Sequence, residues 1–256
     1  MRILMIGDII GQPGRRAIRK IVPDLRSEYN IDLVIANGEN TAGGFGITLD
    51  TAYELLDSGV DILTSGNHIW DQKEIIPHMD EGLPLLRPAN YPEAPGRGYL
   101  IQDNVMVINL MGRVFMPALD CPFRTASALL KTAEAEGAPK IKIVDFHAEA
   151  TSEKQGMGWY LDGRVSAVLG THTHVGTVDA RVLPKGTAYL TDVGMTGPVN
   201  SVIGSDMDAV LDRFLTGLPQ RLSVASGPVM MNAALVEVDP ESGEAQSIQR
   251  IDRMEE

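Results

Sequence analysis

A chain of 256 residues can bury a core of its own, and its 26 glycines and 15 prolines are spread too evenly to mark a linker or a disordered tract. A net charge of −12 argues against holding long nucleic acids by backbone neutralisation, while leaving room for a small nucleotide beside bound cations. The single cysteine, Cys121, excludes an internal disulfide. The apolar N-terminus meets Gly7-Asp8 too early for a signal peptide, and no apolar run could span a bilayer, so a cytoplasmic protein with no membrane partner is expected.

The first apolar run, residues 3–6, breaks into Gly7-Asp8 and reads as a buried strand. Ala17, Ile18, Ile21, Val22 and Leu25 then predict a helix over 15–29, interrupted by Pro23. A strand over 33–36 ends in Asn37-Gly38-Glu39-Asn40, and the loop Gly43-Gly44-Phe45-Gly46 leads to a helix near 49–58. A strand over 62–65 ends in Gly66-Asn67-His68 and precedes a short helix near 72–79. This β-α-β-α-β order predicts a parallel unit with right-handed crossovers. Residues 83–98, rich in Pro and Gly, read as surface loop. Strands over 98–102 and 105–110 flank Asp103-Asn104, a plausible hairpin turn. A helix over 125–136 follows, then a strand over 141–146 that runs into His147, and a turn or helix over 152–157. The strand 167–170 opens into Thr171-His172-Thr173-His174. The last third predicts strands at 187–191, 229–238 and 245–251, with one helix near 207–215. Residues 239–243 form the turn of an antiparallel hairpin. The expectation is an α/β fold of two mixed β-sheets packed face to face with helices on the outside, forming one domain over 1–256.

Where strands of an open α/β sheet run parallel, their carboxyl ends share one edge, and ligands bind there. Five predicted strands deliver carboxylate, amide or imidazole groups to that edge. Asp8, taken alone, is more often a turn or cap residue. Glu39 can bridge two cations through its two oxygens, with Asn40 adding a neutral oxygen beside it. Asn67 follows its strand directly, and His147 closes another. In the segment 171–174, His172 and His174 can serve two metals, or one metal and a substrate contact. Four of the five histidines (His68, His147, His172 and His174) lie just past strand ends, a placement unusual for independently scattered residues. His78 reads as structural or surface and Cys121 as a packed loop residue. The donors are then oxygen and nitrogen only, which suits iron, manganese or zinc in a catalytic site. A barrel amidohydrolase would carry its His-any-His pair at the first strand, and Gly7, Gly11 and Gly14 depart from the dinucleotide-binding spacing.

The ordered set Gly7-Asp8, Gly38-Glu39-Asn40, Gly66-Asn67-His68, His147 and Gly170-Thr171-His172-Thr173-His174 resembles the calcineurin-like metallophosphoesterase superfamily over most of the chain. Within it, Asp-Phe-His-Ala-Glu-Ala-Thr-Ser-Glu-Lys at 145–154 and the segment 37–40 resemble the YmdB-like bacterial phosphodiesterases. The resemblance implies an α/β/β/α metallophosphoesterase-like sandwich with two metal ions per subunit, iron foremost and manganese or zinc as alternatives. It implies hydrolysis of small phosphodiesters, chiefly 2′,3′-cyclic nucleotides and secondarily 3′,5′-cyclic AMP, by a hydroxide shared between the metals. Two departures stand out: Asp8-Ile9-Ile10 lacks the histidine usual there, and Glu39 replaces the usual bridging Asp. The resemblance implies that Asn40 fills the gap, so that one metal takes Asp8, Glu39, Asn40 and His174. The other takes Glu39, Asn67, His147 and His172, with His68 as general acid. Arg113 and Arg124 are candidates for phosphate contact. Loops 111–124 and 194–205 could shape the pocket or a subunit contact in a homo-oligomer. A metal-dependent nucleotide-binding regulatory protein with little turnover, or a phosphomonoesterase, is the alternative.

Overall fold

Strands apolar on both faces must be covered on both sides, and that requirement organises this molecule. The computed structural model describes residues 1–255. The chain begins with β1 (Arg2–Ile6), β2 (Asp8–Ile9), α1 (Gly11–Tyr29), β3 (Leu33–Asn37), α2 (Leu49–Asp57) and β4 (Ile62–Thr64). After a 3₁₀ turn (Lys73–His78) come β5 (Tyr99–Gln102), β6 (Val105–Met111), α3 (Pro122–Ala135), β7 (Ile141–His147), α4 (Thr151–Leu161) and β8 (Ala167–Thr171). The last part holds β9 (Arg181–Val182), β10 (Ala188–Leu190), β11 (Met195–Pro198), α5 (Met207–Thr216), β12 (Val229–Val238) and β13 (Ala245–Met254).

The first sheet runs β2-β11-β12-β1-β3-β4, with β13 antiparallel to β12; β1, β3 and β4 are parallel. The second runs β5-β6-β7-β8-β10-β9 and is parallel from β6 to β10. Alternation along each strand sorts the core into layers. Ile3, Met5, Leu33 and Ile35 pack between the sheets against Val107, Ile143, Leu169 and Leu190. Their neighbours Leu4, Ile6, Val34 and Ala36 lie under Ile18, Val22 and Leu25 of α1 and Leu55 of α2. On the far side, Ile108, Leu110, Val144 and Phe146 pack against Leu130 of α3 and Met157 and Leu161 of α4. The result is the expected α/β/β/α sandwich. Among the described residues no helix is long and apolar enough to cross a membrane.

Several local expectations are corrected. The first helix starts at Gly11 and runs through Pro23 without interruption. Burial of Ala17, Ile18, Val22 and Leu25 on both sides of the proline outweighs its cost of about 3 kcal/mol. Residues 83–98 are not all surface loop. Leu63 N–H donates to Pro84 O and Leu86 N–H to Leu63 O, so the segment continues the first sheet beyond β4 and buries Leu85 and Leu86. The 194–205 stretch contains β11, which pairs with β2 (Met195 opposite Asp8) and so fixes the first candidate ligand. The Asp103-Asn104 turn stands: both residues have positive φ, as a tight hairpin requires.

Candidate metal centre

Asp8, Glu39, Asn40 and Asn67 follow the carboxyl ends of β1, β3 and β4; His147 ends β7, and His172 and His174 follow β8. The approach of the two edges depends on glycines. A Cβ at Gly7 would lie 1.9 Å from Gly194 O, and one at Gly66 would lie 2.0 Å from the His147 ring. The backbone leading to Asn67 therefore passes directly against His147.

Two groupings result. His147 Nε2 lies 2.9 Å from Glu39 Oε1 and 3.1 Å from both Asn67 Oδ1 and His172 Nδ1. His174 Nε2 lies 3.7 Å from Asp8 Oδ1 and 3.3 Å from the amide end of Asn40. A half-turn of that amide would present its oxygen instead. Donors about 2.0–2.1 Å from one tetrahedral cation sit about 3.3 Å apart, close to the distances from His147 Nε2, and the Glu39, His147 and His172 donor atoms all lie within 4.8 Å of one another. Asp8 Oδ1 is buried without a hydrogen-bond partner, and the buried Glu39 Oε1 meets the His147 imidazole. Their second oxygens are committed: Asp8 Oδ2 accepts from His172 N–H at 3.0 Å, and Glu39 Oε2 from His68 N–H at 2.9 Å.

The imidazoles are oriented by what their outer nitrogens touch. His147 Nδ1 is 3.0 Å from Thr171 Oγ1, whose own hydroxyl donates to Asp145 Oδ1 at 2.7 Å, so Nδ1–H donates to Thr171. His172 Nε2 faces Glu149 at 3.1 Å, and His174 Nδ1 donates to Ile203 O at 2.8 Å. In the neutral form of each ring, the nitrogen with the lone pair is the one facing the candidate centre.

The electrostatics point the same way. Burial pushes Asp8 upward, against the pull of His174 and His147. Burial also opposes ionisation of Glu39, but His147 and His68 outweigh it and hold the carboxyl at about 2. Burial would depress His147, yet Glu39, Asp8 and Asp145 raise it to about 9. Burial and then the neighbouring His147 push His172 down to about 3. Without a metal ion, a proton on His147 is the cation that Glu39 faces.

The turn carrying His172 and His174 has φ of 101° and 64° at those residues, unfavourable for side chains with a Cβ. Lys154 and Asp192, both buried, hold it. Lys154 Nζ donates to Thr171 O at 2.7 Å and pairs with Asp192, which accepts from Thr173 N–H at 3.2 Å. These two, with Asp145, Thr171 and Glu149, were missed as site residues in the sequence. Asp145 was detectable as an acid inside an apolar strand, and Asp192 closes a further apolar run, 188–190.

His68 stands beside the groupings with Nδ1 2.8 Å from Asp71 Oδ2, and lines a cleft of about 390 Å³ with Glu39, Asn40, His172 and His174. Ile203, Gly204 and Ser205 line the same cleft, so loop 194–205 reaches it. Arg113 and Arg124 do not join this lining; they face a separate hollow with Asp120 and Cys121. His78 is engaged with Glu81 at 2.7 Å, away from these groups.

The model of the YmdB-like protein family matches residues 4–251. A 2′,3′-cyclic-nucleotide 2′-phosphodiesterase of Bacillus subtilis (strain 168) is 49% identical, covering 98% of this chain and 96% of its own. A crystal structure of a hypothetical protein from Thermus thermophilus superposes with a TM-score of 0.93 at 46% identity, covering 100% of both chains. A phosphatase from Mycoplasma pneumoniae superposes with a TM-score of 0.92 at 33% identity, covering 99% of this chain and 93% of that one.

Proposed function

The chain belongs to the YmdB-like family, and from that membership we propose that it is a metal-dependent phosphodiesterase acting on small phosphodiesters, 2′,3′-cyclic nucleotides foremost and 3′,5′-cyclic AMP second. One observation carries the reading: two buried carboxylate oxygens, the partnerless Asp8 Oδ1 and the Glu39 Oε1 beside His147, face three imidazoles whose other nitrogens are already committed. A cation placed among them would satisfy such a set.

Asp8, Glu39, Asn40 and His174 would hold one ion, and Glu39, Asn67, His147 and His172 the other, with Glu39 shared. Iron is our reading for the native ions, with manganese and zinc as alternatives that the same donors accept. Bound there, the ions would supply positive charge for the phosphoryl oxygens and activate the attacking water. The remaining work falls to this chain's side chains. Asp71 fixes the His68 ring through Nδ1, leaving Nε2 to serve the cleft. As the P–O2′ bond breaks, His68 Nε2 gives its proton to the departing 2′ oxygen, leaving the nucleoside 3′-phosphate. The acidic chain opposes a long polyanion, so the substrate is a small nucleotide. Both sheets form one catalytic domain in this reading. Exposed Leu211, Phe214 and Leu215 on α5 offer a surface for the homo-oligomer it includes.

The test is a metal-matched panel of 2′,3′-cyclic AMP, 3′,5′-cyclic AMP, AMP and an oligoribonucleotide, with Glu39→Ala as the baseline stripped of both ions. The expected result is the highest kcat/KM on 2′,3′-cyclic AMP. Preference for AMP would make the protein a phosphomonoesterase, and bound metal without turnover would make it a nucleotide-binding regulator.

A further inference from the structure

The cleft is lined by two unlike sets of side chains. Glu39, Asn40, His68, His172 and His174 are polar, whereas Ile10, Phe45, Ile203, Leu222 and Val224 are apolar. A phosphate satisfies the first and gains nothing from the second. Phe45 is the aromatic ring of the apolar set and is 40% exposed, whereas the core ring Phe146 is wholly buried.

The loop around Phe45 is built to present it. Gly43, Gly44 and Gly46 have φ of 66°, 99° and 78°, conformations that residues with a Cβ rarely adopt. Ala42 N–H closes the turn on Gly46 O at 3.0 Å, and Gln72 anchors Phe45 O at 3.0 Å. The ring meets His68 edge to face, with centroids 5.2 Å apart at 70°.

The covalent structure of a nucleotide then decides what lies on that ring. The base is on C1′ and the 2′ oxygen on the adjacent carbon, so the base stays within one ribose ring of whatever protonates the 2′ oxygen. Phe45 lies beside His68. We propose that Phe45 is the stacking platform for the substrate's nucleobase, making the part of the cleft beside His68 a base subsite; the proposal rests on the phosphodiesterase reading above. The pairing favours release of the 2′ oxygen over the 3′ oxygen, which is one ribose carbon farther from the base. It also favours purines, which offer more area to stack.

Stacking of a base on an aromatic side chain corresponds to about 5- to 150-fold in affinity. The metal-loaded protein and its Phe45→Ala, Phe45→Leu and Phe45→Trp variants would be compared on 2′,3′-cyclic AMP, 2′,3′-cyclic UMP and methyl riboside 2,3-cyclic phosphate, which has no base. Phe45→Ala and Phe45→Leu should raise KM for cyclic AMP within that range and erase the purine preference. The base-free ester should keep its kcat/KM within about twofold, and Phe45→Trp should behave as wild type. Equal loss on the base-free ester would show that Phe45 acts through His68 and overturn the proposal, as would no change on any ester. Calorimetric binding of 3′-AMP against ribose 3-phosphate reads the subsite without turnover. Tighter 3′-AMP binding, lost in Phe45→Ala, would support it even if no cyclic ester were hydrolysed; equal binding of the two would sink it.

Discussion

A histidine offers a cation one nitrogen, and the neighbour of its other nitrogen decides which. At His147 that neighbour is Thr171, and the inner nitrogen, with the ring raised to about 9, keeps a proton in the metal-free protein at neutral pH. A metal must displace that proton. Calorimetry at pH 7.5 in buffers of different ionisation heat should find about one proton released when the His147 position fills, with apparent affinity falling about tenfold per pH unit below 9. Loading without release would contradict the placement. The stability sign follows from the same shift. A folded value above the unfolded 6.5 contributes stability that is complete below 6.5 and disappears as pH rises through about 9. His68 should separate catalysis from metal binding. His68→Ala should keep both ions yet lose turnover of 2′,3′-cyclic AMP by about 10²–10⁴-fold, with a smaller loss on a p-nitrophenyl ester whose leaving group needs no proton. Loss of metal, or equal impairment on both esters, would remove His68 from the role of acid.

At the scale of elements, the site depends on how closely strand ends can pass. Gly66→Ala should disturb His147, because the added methyl would lie 2.0 Å from its ring. We expect the variant to fold with an unchanged circular-dichroism spectrum but to take one ion instead of two. Two ions at wild-type affinity would show that the backbone yields instead. The same strand ends explain what was legible in the sequence. β1, β3, β4, β7 and β8 each run from apolar residues into Gly or a polar donor, so the positions of Asp8, Glu39, Asn67, His147 and His172 followed from local pattern alone. The short strands β2 and β11 did not, because two to four residues carry too little periodicity and are held by pairing with each other and with β12. Residues 83–98 misled for a related reason: Pro84 breaks local patterns, yet its carbonyl still accepts from Leu63. The supports Lys154–Asp192 and Thr171–Asp145 were hidden because a buried polar residue signals its role only through a partner distant in sequence.

For the whole molecule, the candidate donors straddle the two sheets: Asp8, Glu39, Asn40 and Asn67 belong to the first, and His147, His172 and His174 to the second. Cations held among them would tie the layers together. Binding at a hundredfold excess over Kd adds about 2.7 kcal/mol, or about 5–10 °C for a chain of this size. Chelation should lower Tm by that amount, and readdition should restore it. An unchanged Tm despite full metal loss would mean that the ions do not couple the sheets. The topology also sets a timetable. In order of synthesis the candidate donors run from Asp8 to His174, yet β1 pairs with the later β12, and Gly7 N–H, just before Asp8, donates to Asn232 O. A ribosome therefore delivers all the donors well before the strand that seats the first of them. A nascent chain stalled short of β12 would carry the full set without a finished centre, so any metal capture there waits on that strand.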